Sequence, residues 1–141
     1  MDVGDIMTTR LVTVEMDDRL DVVKQIFDTL KFHHLLVIDE RKKLTGVVSD
    51  RDLLKALSPQ LGSAAETARD AATLNKRVHQ IMSRKLLTLH PRAAVADAVQ
   101  MFLEHRISCI PIVNEEFKPV GILSWRDVMK LMLGKRKLDS G

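Results

Sequence analysis

Apolar and polar positions follow one pattern along this chain, and the pattern occurs twice. Residues 11–14 and 86–89 are short extended runs, Leu-Val-Thr-Val and Leu-Leu-Thr-Leu. After the first, Leu20, Val23, Phe27 and Leu30 recur at helical spacing, with Asp17 or Asp18 placed to cap the first turn. After the second, Val95, Ala98, Phe102 and His105 form the same stripe behind Pro91, which suits a helix start. Apolar runs at 35–38 and 110–113 predict buried strands, and polar turns lead to second strands at 44–49 and 120–124. Short helices are expected over 51–57 and 126–133. The order is β-α-β-β-α, twice.

The two copies align without a gap from Val3 to Leu57 at an offset of 75 residues, which superimposes Ile6-Met7 on Ile81-Met82 and Gly46 on Gly121. Ser49, Arg51, Asp52 and Lys55 recur as Ser124, Arg126, Asp127 and Lys130. The expected organisation is a first repeat over 1–58, a linker over 59–77, a second repeat over 78–134 and a charged tail over 135–141. Within the linker, Ser63-Ala64-Ala65-Glu66 has a capping-box pattern and predicts a short helix reaching about Leu74. One repeat of about 55 residues buries little core, so the two are expected to pack together.

Composition narrows the function classes. At 141 residues, 45% hydrophobic and 29% charged, the chain is an ordinary globular domain or two very small ones. No apolar run approaches the roughly 18 residues of a membrane span, and Met1-Asp2-Val3-Gly4-Asp5 is no signal peptide, so no membrane association is expected. A single cysteine, Cys109, excludes an internal disulfide and suits a reducing cytoplasm. The net charge of +3 separates 22 basic from 19 acidic residues, which gives no case for a nucleic-acid partner. With four Phe, one Trp and no Tyr, stacking platforms for single strands are scarce as well.

Candidate chemistry concentrates in Gly46-Val47-Val48-Ser49-Asp50-Arg51-Asp52 and its copy Gly121-Ile122-Leu123-Ser124-Trp125-Arg126-Asp127. Each is a strand running into a helix start. The glycine lets another group approach the backbone, the Ser lies where free N–H groups favour phosphate, and the Arg can reach a phosphate. The Asp offers two acceptors to a ribose diol. Capping alone also explains a Ser followed by a first-turn Asp, so either copy taken singly leaves both explanations open.

Together, Ile6-Met7-Thr8, Ile81-Met82-Ser83, His105-Arg106-Ile107-Ser108-Cys109-Ile110-Pro111-Ile112-Val113 and the doubled Gly-x-x-Ser-x-x-Asp run resemble the tandem CBS domain pair, or Bateman module, in a stand-alone form. The resemblance covers nearly the whole chain. It implies an α/β (α+β) fold whose two repeats pack by their sheets about a pseudo-twofold axis. It also implies clefts for AMP, ADP, ATP or S-adenosylmethionine, with no required cofactor and no catalysis.

Carried over by position, one cleft comprises Met82, Ser83, Ile107, Ser108 and Pro111 facing Ser49, Arg51 and Asp52. The other comprises Met7, Thr8, Phe32 and His33 facing Ser124, Arg126 and Asp127. The first repeat departs from the pattern, with Leu36 for Pro111, His33-His34 for Ser108-Cys109 and Phe32 for Ile107. The Ser49/Asp52 cleft is therefore the more family-like.

Adjacent residues on a strand face opposite ways, so His33 and His34 cannot chelate one ion together, and no cluster with metal-ligand spacing accompanies them. The pair is expected either to line a cleft, as His33 would, or to serve in packing or at the surface. Cys109 reads as a small buried residue rather than a nucleophile. Trp125 suits a ligand cover or a partner surface.

The expected function is ligand sensing, passed to an unidentified regulated protein. The alternative is a ligand-free interaction or scaffold module of the same fold. Leu53, Leu54, Leu57, Val128, Met129, Leu131, Met132 and Leu133 exceed what a small core needs, which points to a homodimer.

Overall fold

A computed structural model describes residues 1–140, with side chains through Gly134. The charged tail expected over 135–141 therefore lies outside the described side chains. The chain forms two compact units, and they cut across the sequence repeats. One comprises Val12–Leu86; the other joins Met1–Leu11 to the chain from Leu87 onward.

In the unit Val12–Leu86, strands β1 (Thr13–Glu15), β2 (His34–Ile38) and β3 (Leu44–Ser49) form a sheet in that order. The β1–β2 pair is parallel and β2–β3 antiparallel, with Leu36 between Thr13 and Val47. Helix α1 (Leu20–Thr29) sends Leu20 and Val23 into a core with Val14, Leu35, Val37, Val48 and Leu53, the last from α2 (Asp50–Ala56). Val78 and Met82, from the opening segment of the second repeat, complete that core.

Neither Asp17 nor Asp18 caps α1. Arg19 occupies the cap position and its side chain makes no capping bond, because Asp18 Oδ2 instead accepts from the Glu15 N–H at 2.8 Å. The Lys76 carbonyl takes the Leu20 N–H at 2.9 Å. The linker helix also starts later than the sequence suggested. Ser63 turns its hydroxyl to the Gln60 carbonyl and Glu66 accepts from the Gly62 N–H. Helix α3 (Ala68–Ala72) opens instead on a Thr67–Asp70 capping box.

The other unit holds α4 (Val95–Glu104), β4 (Cys109–Val113), β5 (Pro119–Ser124) and α5 (Trp125–Ser140). Its core of Ala98, Phe102, Ile110, Ile112, Leu123 and Val128 is completed by Val3 from the N-terminal segment. Here the expected strand at 86–89 is reduced to one parallel bridge between Leu89 and Ile112. The Pro111 carbonyl faces this segment and accepts from Leu89 N–H at 3.3 Å. Pro111 has no N–H to offer on that same edge, where Leu36 of the first repeat has one.

Each exchanged segment is locked by a glycine. A side-chain carbon on Gly46 would lie 2.7 Å from Met82 Sδ and 3.0 Å from the Ser83 carbonyl oxygen; one on Gly121 would collide with Met7. Just beyond each methionine, Ser83 exchanges two backbone hydrogen bonds with Val47, and Thr8 does the same with Ile122.

Candidate functional site

The candidate residues collect where β3 runs into α2 and where β5 runs into α5. In the unit Val12–Leu86, Ser49 is the N-cap of α2, and its Oγ accepts from the Asp52 N–H at 3.0 Å. Asp52 Oδ2 accepts from the Ser49 N–H at 2.8 Å, closing a capping box. Met82 is buried under Gly46, and Ser83 is paired with Val47, two residues before Ser49 on the same strand. Ser49, Arg51, Asp52, Met82 and Ser83 are thus brought together in one unit. Arg51 is exposed and its guanidinium makes no ion pair among the described residues.

In the other unit, Asp127 Oδ2 accepts from the Ser124 N–H at 2.9 Å and from the Ser124 hydroxyl at 3.2 Å. Its Oδ1 accepts from the Thr8 hydroxyl at 3.1 Å. Met7, packed on Gly121, and the exposed Arg126 belong to the same unit. The remaining candidates fall in the opposite unit from the helix start that the resemblance gave them. Ile107, Ser108 and Pro111 belong with Ser124 and Asp127, and Phe32 and His33 with Ser49 and Asp52.

The histidines divide in role. His33 is exposed, its Nδ1 lies 3.0 Å from Asp50 Oδ2, and its carbonyl accepts the Asp50 N–H at 3.0 Å. That imidazole holds the Asp50 carboxyl below the usual range. His34 sits opposite Ser49 in the strand register, and its burial pushes the imidazole pKa down against the pull of Asp50. Cys109, its counterpart, sits opposite Ser124, and burial pushes the thiol up to about 12, the signature of an inert packed cysteine.

The His33–Asp50 pair and the stacking of Trp125 on Phe102, with ring centroids 4.8 Å apart, were not foreseen from sequence. The signal for both was present: Asp50 and Trp125 are the one mismatch inside an otherwise repeated Ser-x-Arg-Asp run. The glycines, read as room for an approaching group, admit a methionine of the same chain. Among the described residues no group of His, Cys and carboxylate side chains could hold a metal ion, and no helix is long and apolar enough to cross a membrane.

The CBS domain family model matches residues 3–59 and again 78–134. Among solved structures, CBSX2 of Arabidopsis thaliana in complex with AMP is 30% identical, with a TM-score of 0.79 over 96% of this chain and 98% of that one. The CBS domain pair of protein MJ0100, solved with 5′-methylthioadenosine and S-adenosyl-L-methionine, is 25% identical, with a TM-score of 0.78 over 96% of this chain and 98% of that one. A homoserine O-acetyltransferase of Methanococcoides burtonii is 25% identical over 130 residues, which are 92% of this chain and 24% of that enzyme. The chain thus spans about a quarter of that relative's length.

Proposed function

Since the chain belongs to the CBS domain family, as a tandem pair, we propose that it is a regulatory module that binds an adenosine-containing ligand at its Ser-x-Arg-Asp helix starts. The observation that carries this is the state of the first helix start. Ser49 and Asp52 are fixed by their capping box, yet Asp52 Oδ1 receives no hydrogen bond from the described residues. A ribose diol finds there a charged acceptor held in place before it arrives, which lowers the ordering cost of binding. The Arg51 guanidinium, exposed one position before Asp52, suits the phosphate of AMP, ADP or ATP. The ligands in the two solved relatives, AMP and the S-adenosylmethionine pair, share the adenosine portion that such a site would hold.

The module performs no chemistry of its own in this proposal. The output passes to a partner protein or to a homodimer formed through the exposed Leu54, Met129, Met132 and Leu133. Those same exposed side chains, together with capping boxes that are complete without ligand, favour the second possibility, a scaffold that binds no nucleotide.

A thermal-shift panel separates the two. Protein stripped of carried-over nucleotide is melted with AMP, ADP, ATP, S-adenosylmethionine and 5′-methylthioadenosine. A ligand present at 100 times its Kd stabilises the native state by about 2.7 kcal/mol, which moves the midpoint by several degrees. A flat response to all five favours the scaffold.

A further inference from the structure

The two repeats hold the same cap in different hydrogen-bonding states, and one side chain makes the difference. At Asp127 both carboxylate oxygens accept: Oδ2 from the Ser124 N–H and hydroxyl, Oδ1 from the Thr8 hydroxyl. Among the described residues, Asp52 uses only Oδ2, which accepts from the Ser49 N–H. Ser83 stands where Thr8 stands in the other copy, and among the described residues it bonds to Val47 through its backbone alone.

Both segments are pinned to the neighbouring strand equally well, Thr8 to Ile122 at 2.9 and 2.9 Å and Ser83 to Val47 at 2.8 and 3.1 Å. Backbone position therefore does not separate them. Thr8 carries a branched β-carbon that restricts its side-chain rotation, whereas the serine hydroxyl turns freely. A hydroxyl presented from a fixed backbone with few rotamers loses little entropy in binding Asp127.

We propose that Thr8 is a positioning residue that withholds Asp127 from ligand, so that the chain takes one adenosine-type ligand tightly, at Asp52. This rests on the ligand-sensing function proposed above. A ribose hydroxyl arriving at Asp127 Oδ1 either displaces the Thr8 hydroxyl or shares with it a carboxylate that already accepts three hydrogen bonds. Either way it gains less than a bond to an unused carboxylate oxygen. At Asp52 the same hydroxyl adds a charge-assisted bond and displaces no protein donor.

The test is calorimetric titration of the full chain with AMP, in wild type, Thr8→Val, Thr8→Ala and Asp52→Asn. Valine keeps the branched shape beside Ile122, and alanine serves if valine perturbs the fold. Wild type should show one binding class at about one AMP per chain, and Asp52→Asn should weaken it about ten- to a hundredfold. Either Thr8 variant should add a second class whose affinity is about tenfold or more above residual binding, the effect of one charge-assisted hydrogen bond. A purely structural Thr8 would not raise the number of sites. Two equal classes in wild type, or Thr8 variants that still show one, would overturn the proposal and leave nucleotide sensing intact. Absence of heat with every protein would overturn both.

Discussion

At the corner of β3 and α2, Asp50 pairs with His33 and the cap carboxylate of Asp52 keeps one oxygen open. At the corner of β5 and α5, Trp125 takes the place of Asp50 and stacks on Phe102, and the cap carboxylate of Asp127 is closed by Thr8. Both corners share Ser, Arg and Asp in the same order and the same reciprocal Ser–Asp hydrogen bonds. Duplication preserved what the helix start needs and let the remaining side chains diverge. A shared motif therefore establishes a shared cap, while ligand capacity depends on what else reaches the carboxylate.

The largest stability effect is expected at the glycines beneath the two methionines. At Gly46, an added methyl group meets the buried Met82 and the Ser83 carbonyl, and a backbone oxygen cannot turn aside. At Gly121 all the close atoms belong to Met7, a flexible side chain that is only half-buried. Overpacking of this kind costs about 1–3 kcal/mol. Gly46→Ala should fall at the upper end and Gly121→Ala at the lower end, as measured by urea denaturation. Equal losses would mean that Met7 is held as rigidly as Met82.

A smaller effect separates His34 from Cys109, two matched positions opposite the capping serines. Burial opposes charge at both, lowering the imidazole pKa and raising the thiol pKa. Below its unfolded value of 6.5, the unfolded His34 binds a proton that the folded residue resists. His34 thus contributes stability that is present above pH 6.5 and is lost as pH falls toward its lower folded pKa. The facing charges that modulate this are His33, which adds to the shift, and Asp50 and Asp52, which oppose it. His34→Cys, which copies the other repeat, should flatten the fall in melting temperature between pH 7 and 5. An unchanged slope would assign that fall to other groups.

Much of the fold was legible because duplication doubles every signal. The β3 run at 44–49 and the apolar stripe of α1 and α4 were readable from spacing alone, and Gly46 with Gly121 marked close approaches. Three features were not legible, each for a local reason. Asp18 bonded backward to Glu15 rather than forward into α1, a competition that an aspartate before a turn always offers. Two consecutive box patterns, Ser63–Glu66 and Thr67–Asp70, competed for one linker helix; the Ser63 hydroxyl turned back to Gln60, and Thr67 capped α3. The first strand of the second repeat looked as apolar as its counterpart but faced a proline edge. At the site, the Ser, Arg and Asp positions were visible as a motif. The closure of Asp127 by Thr8 spans 119 residues and follows from the exchange of N-terminal segments between the units.

The unequal caps are tested most directly by Asp52→Asn and Asp127→Asn, titrated with AMP side by side and melted in parallel. An amide replaces one carboxylate acceptor with a donor, so a diol that uses Asp52 should lose about 1.5–3 kcal/mol, roughly ten- to a hundredfold in Kd. Asp52→Asn keeps a tolerable first-turn residue and should lose only about 0.3–1 kcal/mol of stability. Asp127→Asn also weakens the bonds from Ser124 and Thr8 and should lose about 1 kcal/mol more. The expected result is a large loss of AMP affinity for Asp52→Asn and little change for Asp127→Asn, the opposite order to their losses of stability. Equal losses in the two variants would contradict the inequality of the caps, and equal affinities for wild type and both variants would remove the carboxylates from the ligand site altogether.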